Sequence, residues 1–135
     1  MKLSSTEYDP YKNKEFRFYL QSRANSLNRT SIERGIPQNS VYFHRIFAQD
    51  LWNIIQNQDW LCYYCYTMVV PDCKRIGCSL EFDHVIPGIH LADNLVACCR
   101  DCNRRKDDST LSQIQDIYHG VQEFYETKFP VHTYI

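Results

Sequence analysis

The chain has 135 residues, of which 44% are hydrophobic and 23% charged, and its formal net charge is −1. This length and composition predict one globular domain with a single core and argue against intrinsic disorder. No segment approaches the roughly 18 consecutive apolar residues that span a bilayer. The polar segment Met1–Pro10 has no apolar signal core, so we expect a cytoplasmic protein without a membrane partner.

The spacing of apolar residues predicts the secondary structure in chain order. We expect helices over Lys14–Glu33 and Gln49–Asn57, a strand over Ser79–Ile86, a loop leading into a short helix over Asp93–Arg105, and an amphipathic helix over Thr110–Lys128. The segment 41–47 fits either a strand or the approach to the second helix. The buried stripe of the first helix is predicted to contain Phe16, Leu20 or Tyr19, Ala24, Leu27 and Ile32. The pattern favours an α+β protein.

The nearly neutral net charge hides a gradient along the chain. Residues 11–45 contain seven basic and two acidic residues, whereas residues 107–135 contain one basic and five acidic residues. A polyanion responds to the local field, so Arg17, Arg23 and Arg29, which lie mostly off the apolar stripe, are candidate nucleic-acid contacts. The alternative interpretation is the solvated face of an ordinary helix.

The seven cysteines include two Cys-x-x-Cys pairs, Cys62 with Cys65 and Cys99 with Cys102. Two such pairs supply four soft ligands at the spacing that tetrahedral zinc prefers. A pair of disulfides or a thioredoxin-like redox site fits less well, because the chain lacks a secretion signal and has two pairs. We prefer Cys99 to Cys98 as a ligand because Cys99 restores the two-residue gap. The sequence assigns no function to the three other cysteines, Cys73, Cys78 and Cys98. Cys73 and Cys78 lie between the pairs and are structural or incidental, with a second metal site or a hairpin disulfide as alternatives.

The segment between the two pairs contains a second group of polar residues. Asp83 and His84 end the predicted strand, Asn94 follows ten residues after His84, and Asn103 comes directly after the second cysteine pair. The pattern Cys-x-x-Cys, Asp-His-x-x-Pro, Asn-Leu, Cys-x-x-Cys-Asn and Lys resembles the HNH endonucleases, also called ββα-metal or His-Me finger nucleases. It is most similar to the zinc-stapled subgroup found in small phage and bacterial proteins. The resemblance covers about Leu61–Lys106, although Asn103 stands where many members have histidine.

The resemblance implies a catalytic role for each of these residues. His84 would be the general base, and its ordinary pKa of about 6.5 suits proton abstraction near neutral pH. Asp83 and Asn103 would offer hard oxygen ligands to a catalytic Mg²⁺ or Mn²⁺ ion. Asn94 would brace the loop and orient His84, or else be an ordinary turn residue. The zinc would be structural, because four protein ligands leave no open position for water.

Basic residues after the second cysteine pair are further candidates for nucleic-acid binding. Lys106, Arg104 and Arg105 would contact flanking phosphates, or else form a solvated helix end that suits the helix dipole. His90 would either help to bind phosphate or metal, or lie in a surface loop. Many family members have Gly-Gly in this part of the loop, where this chain has Gly88-Ile89-His90.

The resemblance therefore implies a small ββα-metal nuclease core stapled by a four-cysteine zinc site, with helical extensions at both ends. The extensions would be 1–58, basic and a candidate DNA contact, and 111–135, a helix packed on the core at 59–110. We expect a metal-dependent endonuclease that nicks or cuts DNA, with a homodimer as one option for its assembly. A non-catalytic zinc module that binds nucleic acid and a nuclease acting on RNA remain open alternatives.

Overall fold

The computed structural model describes residues 8–71 and 78–107. The helix predicted at 110–128, and with it the C-terminal extension, lies outside these residues, as does Cys73. In the described parts the chain forms helices α1 (Lys14–Glu33), α2 (Ala48–Asn57) and α3 (Arg100–Asp107), and strands β1 (Leu80–His84) and β2 (Leu95–Cys99). None of the described helices is long and apolar enough to cross a membrane.

The two strands form an antiparallel hairpin that continues directly into α3. Phe82 pairs with Ala97 at the centre of the ladder, and His84 pairs with Leu95 at its loop end. A 3₁₀ turn over Ala92–Asn94 leads the loop back into β2. Helices and a two-stranded antiparallel sheet therefore confirm the predicted α+β class.

Helix α1 begins at Asn13, whose side chain accepts a hydrogen bond from the Phe16 backbone N–H and so satisfies one of the unpaired donors of the first turn. Its buried face contains Phe16, Leu20, Ala24, Asn28 and Ser31. The last two positions differ from the prediction, which placed Leu27 and Ile32 on the buried stripe. The spacing of apolar residues does not predict burial of Asn28 and Ser31, because both are polar. They are buried through hydrogen bonds rather than apolar contacts.

The core lies where α1 and α2 pack together against the hairpin. Leu51 and Ile55 of α2 are fully buried in this core. An aromatic cluster closes one end of this core, with Phe16 contacting Trp52 and Trp60 at centroid distances of 5.9 Å. The segment around Cys62 and the strands are thus attached to the long basic helix through a continuous apolar core.

The second strand was not predicted from the residue pattern. All five residues of β2 are buried, so the alternation of polar and apolar residues that marks a half-exposed strand is absent. The segment 41–47 forms turns and a single bridge between Phe43 and His90 before α2 begins. The backbone N–H of His90 donates to the Tyr42 carbonyl at 2.7 Å, and the backbone N–H of His44 donates to the His90 carbonyl at 2.9 Å.

Candidate metal centre and catalytic pocket

Four cysteine sulfurs form a compact cluster between the segment that follows α2 and the start of α3. The ligand atoms of Cys62, Cys65, Cys99 and Cys102 all lie within 4.8 Å of one another, and the sulfurs of Cys65 and Cys99 are 3.8 Å apart. A zinc tetrahedron with Zn–S bonds of about 2.3 Å has sulfur–sulfur edges of about 3.8 Å. The cluster is therefore compatible with a structural zinc site made of the four predicted ligands.

The first cysteine pair is held against β2 by hydrogen bonds from Gln58 and Tyr63. The Gln58 side-chain amide donates to the Ala97 carbonyl at 2.8 Å and accepts from the Ala97 N–H at 2.9 Å. It thereby pairs with both backbone groups of Ala97, as a residue of a neighbouring strand would. The Tyr63 N–H donates to the same carbonyl at 3.0 Å. These contacts bring the first pair beside the second, which lies at the junction of β2 and α3.

Neighbouring strand residues point to opposite faces, which separates Cys98 from the cluster. Cys98 is fully buried and is not among the four clustered cysteines. Burial raises the pKa of its thiol well above the ordinary value. The choice of Cys99 over Cys98 therefore agrees with the geometry. Cys78 is disulfide-bonded and so takes no part in the cluster.

A pocket of about 200 Å³ opens between α1 and the loop end of the hairpin. One side of the pocket is formed by α1 and the residue that follows it: Arg23, Ser26, Leu27, Thr30 and Arg34. The opposite wall consists of Phe82, Asp83, His84 and Asn103. The pocket therefore brings together three of the four residues to which the resemblance assigns catalysis, with two arginines facing them.

The Asp83 carboxylate is buried and hydrogen-bonded. Its Oδ2 accepts from the Tyr64 hydroxyl at 2.6 Å and lies 3.1 Å from Nζ of Lys106. Burial, together with the adjacent Asp83, raises the pKa of Tyr64, so this hydroxyl stays protonated and donates. The Lys106 ammonium also donates to the His84 carbonyl at 2.8 Å. Lys106 thus neutralises Asp83 inside the protein, which does not fit its predicted contact with a flanking phosphate.

Asn103 is oriented by a residue that the sequence analysis did not identify. Its Nδ2 donates to Oε1 of Glu81 at 2.8 Å. The amide oxygen is consequently the atom that Asn103 has to offer to a ligand. Glu81 and Asp83 are two residues apart on β1 and therefore share a face of the strand.

His84 is largely buried and contacts a second histidine. Its Nε2 lies 2.8 Å from Nδ1 of His90, and the two ring centroids are 5.1 Å apart. Burial, then the positive charges that His90, Arg34 and Lys106 can carry, lower the pKa of His84 to about 4. The imidazole is therefore neutral at pH 7 and able to accept a proton.

Asn94 is fully buried and ties down the loop that follows β1. Its Nδ2 donates to the carbonyls of Ile86 at 2.8 Å and Ile89 at 2.6 Å, and its Oδ1 accepts from the Ile86 N–H at 3.0 Å. The Val85 N–H donates to the Asn94 carbonyl at 3.0 Å. Asn94 therefore holds the 85–89 loop directly after His84.

The arginines predicted to bind nucleic acid lie in different places. Arg23 lines the pocket, whereas Arg29 lies in a shallow groove on α1 beside Phe18. The Arg17 guanidinium donates to the Pro10 carbonyl at 3.4 Å and lines neither cavity. Arg34 was not selected, yet it lines the pocket eleven residues after Arg23, on the same side of the helix. Arg104 and Arg105 are exposed on α3.

Other residues that bear on the site also escaped sequence reasoning. Asn28 and Ser31 meet His90 from α1, and His90 is fully buried rather than in a surface loop. The sequence contained two signals for such residues. Glu81 and Asp83 are acids two positions apart on β1, and Asn28 is a polar residue four positions after Ala24 on the apolar stripe of α1. Neither signal identifies a partner, because the partners are distant in the chain.

Comparisons of this chain with protein-family models, with curated proteins and with solved structures found no match. The assignment of function consequently depends on the residues and geometry described above.

Proposed function

We propose that this protein is a metal-dependent endonuclease of the HNH type that hydrolyses phosphodiester bonds in DNA. The observation that carries the proposal is the pocket in which Asp83, His84 and Asn103 converge opposite Arg23 and Arg34. A neutral base, two oxygen ligands and two cations are the groups that phosphodiester hydrolysis requires. A module that only binds nucleic acid has no need of this combination.

The residues of the pocket fit a hard divalent cation. Asp83 supplies a carboxylate and Asn103 an amide oxygen, both of which suit Mg²⁺ or Mn²⁺ better than zinc. When bound, such an ion would polarise the scissile phosphate and neutralise the charge on the leaving oxygen. Lys106 already neutralises Asp83 and would share its carboxylate with the ion, so we expect weak binding that needs millimolar metal.

The chain's own side chains supply the remaining chemistry. His84 accepts the proton of the attacking water, since its lowered pKa keeps the ring neutral at pH 7. Arg23 and Arg34 bind the phosphate oxygens from the α1 side and orient the scissile group toward His84. Asn94 keeps the loop after His84 in one conformation. The four-cysteine cluster, loaded with zinc, keeps β2 and α3 together so that Asn103 stays beside Asp83.

A plasmid assay with metal analysis tests the proposal. Zinc-loaded protein is incubated with supercoiled plasmid in Mg²⁺ or Mn²⁺, alongside His84→Ala and, as a control, Gln56→Ala on the exposed surface of α2. We expect about one zinc per chain in all three proteins. Nicking should persist in Gln56→Ala and be lost in His84→Ala. Equal cleavage by wild type and His84→Ala would refute the assignment.

The same experiment separates the alternatives. A protein that shifts the mobility of DNA without cutting it under any metal condition would be a binding module, and the proposal would fall. Cleavage of single-stranded RNA with intact plasmid would keep the mechanism but overturn the substrate. Thiol exchange in place of stoichiometric zinc would indicate a redox protein.

A further inference from the structure

The amide of Asn28 has a defined orientation inside the protein. Its Oδ1 accepts from the Ile46 N–H at 2.8 Å, and its Nδ2 donates to the Ile46 carbonyl at 2.9 Å. If the amide were reversed, its NH₂ group would face the Ile46 N–H and its oxygen would face the Ile46 carbonyl, so neither hydrogen bond could form. Both bonds are buried, so this penalty would not be relieved by water. Oδ1 is therefore the atom that Asn28 presents next to the Ile46 nitrogen.

That orientation determines which nitrogen of His90 carries a hydrogen. Nε2 of His90 lies 2.7 Å from Oδ1 of Asn28, and an amide oxygen can only accept. Nε2 of His90 must therefore be protonated. The ring is fully buried against neutral groups, Asn28, Ser31 and the stacked ring of Phe43, so a second proton and its charge would be costly. Nδ1 of His90 is consequently an acceptor.

The acceptor nitrogen of His90 in turn fixes the state of His84. Nδ1 of His90 and Nε2 of His84 are 2.8 Å apart, and two unprotonated nitrogens at that distance would repel each other. The hydrogen between them must belong to Nε2 of His84. The Ser31 hydroxyl lies 2.9 Å from the same nitrogen and donates to it, so it shares this acceptor with His84 and does not remove the requirement.

We propose that His90 is a positioning residue that holds His84 as its Nε2–H tautomer and leaves Nδ1 as the single basic nitrogen of the ring. Helix α1 supports the arrangement through the side chain of Asn28. The 42–46 segment supports it through the two backbone hydrogen bonds of His90 and through the hydrogen bonds between Ile46 and Asn28. His84 therefore has both its tautomer and its ring orientation set by elements outside the hairpin. The catalytic consequence of this arrangement rests on the proposed function, whereas the tautomer itself does not.

Nitrogen-15 NMR of the zinc-loaded full chain tests the inference without any substrate. Two-bond proton–nitrogen correlations of labelled histidines identify which ring nitrogen carries the hydrogen. At pH 7 we expect both His84 and His90 as Nε2–H tautomers, and exposed His44 as a mixture. A His84 ring protonated at Nδ1, or one averaging between tautomers as His44 does, would overturn the proposal even if no variant could be purified.

Two substitutions at the same position then separate orientation from mere folding. His90→Asn places an amide oxygen near the position of Nδ1 and keeps an acceptor for His84. His90→Gln places an amide nitrogen near Nε2 and keeps a donor for Asn28 but offers His84 no matched acceptor. We expect His84 to keep its tautomer in His90→Asn and to lose it in His90→Gln, while both proteins retain their zinc. Ser31→Ala is the control that alters the surroundings of His90 and should leave the His84 tautomer unchanged.

The kinetic prediction distinguishes a positioning role from a structural one. In plasmid nicking we expect kcat to fall about 10- to 100-fold in His90→Gln with KM unchanged, and to recover most of that loss in His90→Asn. Equal loss in both variants, with the His84 tautomer intact, would make His90 merely structural. A wild-type protein without nuclease activity but with the predicted tautomers would overturn the proposed function and leave the hydrogen-bond assignment standing.

Discussion

Nζ of Lys106 lies 3.1 Å from Oδ2 of Asp83 and 2.8 Å from the backbone oxygen of His84. Both charged groups of the pair are about nine-tenths buried. Lys106 therefore ties the end of β1 to α3 at the residues that line the pocket. A divalent cation bound at Asp83, as proposed above, would therefore share the carboxylate with an ammonium group.

Replacing Lys106 by Met should destabilise the protein by about 3 kcal/mol, because a buried carboxylate loses its counterion. Urea unfolding of the zinc-loaded protein measures the change, with Arg104→Met on the exposed surface of α3 as the control, for which we expect less than about 0.5 kcal/mol. Millimolar Mg²⁺ or Mn²⁺ should recover part of the stability of Lys106→Met and little in wild type. Equal losses in the two variants would contradict the role assigned to the ion pair.

Removing zinc from the proposed four-cysteine site should unfold the core, because the cluster joins the segment around Cys62 and Cys65 to the β2–α3 junction. We expect Cys62→Ser to lose essentially all zinc and its native circular dichroism. Cys98→Ala, which alters a buried cysteine outside the cluster, should keep about one zinc per chain. Metal analysis of the purified proteins provides the measurement. A folded Cys62→Ser variant without zinc would show that the cluster is not a structural staple.

The lowered pKa of His84 predicts where activity and stability change with pH. Its pKa is about 4 in the folded protein and about 6.5 when unfolded, so unfolding takes up a proton between these values. Stability is therefore full above about pH 6.5 and falls as the pH is lowered toward about 4, by about 3 kcal/mol from this group. The nicking rate should likewise fall on acidification at a pH nearer the pKa of His84 in the folded protein than its pKa in the unfolded chain.

Urea unfolding at several pH values, with zinc saturating, checks the stability effect by comparison with His84→Gln. The variant lacks this ionisation, so its stability should decline less than that of wild type between about pH 6.5 and about pH 5. Gln56→Ala on the exposed surface of α2 serves as control and should follow the wild-type curve. Parallel curves for wild type and His84→Gln would mean that the buried ring does not titrate in this way.

The two arginines of the pocket should matter more for nucleic-acid binding than two arginines elsewhere on α1. Arg23→Gln combined with Arg34→Gln should weaken DNA binding and reduce the slope of log Kd against log salt by about 2, one for each lost phosphate contact. Arg17→Gln combined with Arg29→Gln removes the same charge and should reduce it by less. Fluorescence anisotropy at several salt concentrations measures both, and identical slopes would make the effect one of net charge alone.

Much of the architecture followed from local patterns in the sequence. The bounds of α1 were predictable because helix ends and apolar spacing are determined by residues close together in the chain. The four clustered cysteines were predictable because the spacing of metal ligands is equally local. Strand β2 was not predictable from its residues, because complete burial removes the alternation that marks a strand. The Asp83, His84 and Asn103 group was identifiable by resemblance, whereas Glu81 and Arg34 were not.

The sequence by itself determined the donor types: four thiols at zinc spacing, and an Asp-His pair with two downstream asparagines. Only the tertiary structure decided their partners. In the structure Lys106 pairs with the buried Asp83, whereas the sequence predicted a phosphate contact. Asn28 of α1 lies 2.7 Å from His90, although the two residues are 62 positions apart in the chain. Hydrogen bonds between buried polar groups depend on which elements pack together, and that choice is made by the apolar core rather than by the polar residues that it encloses.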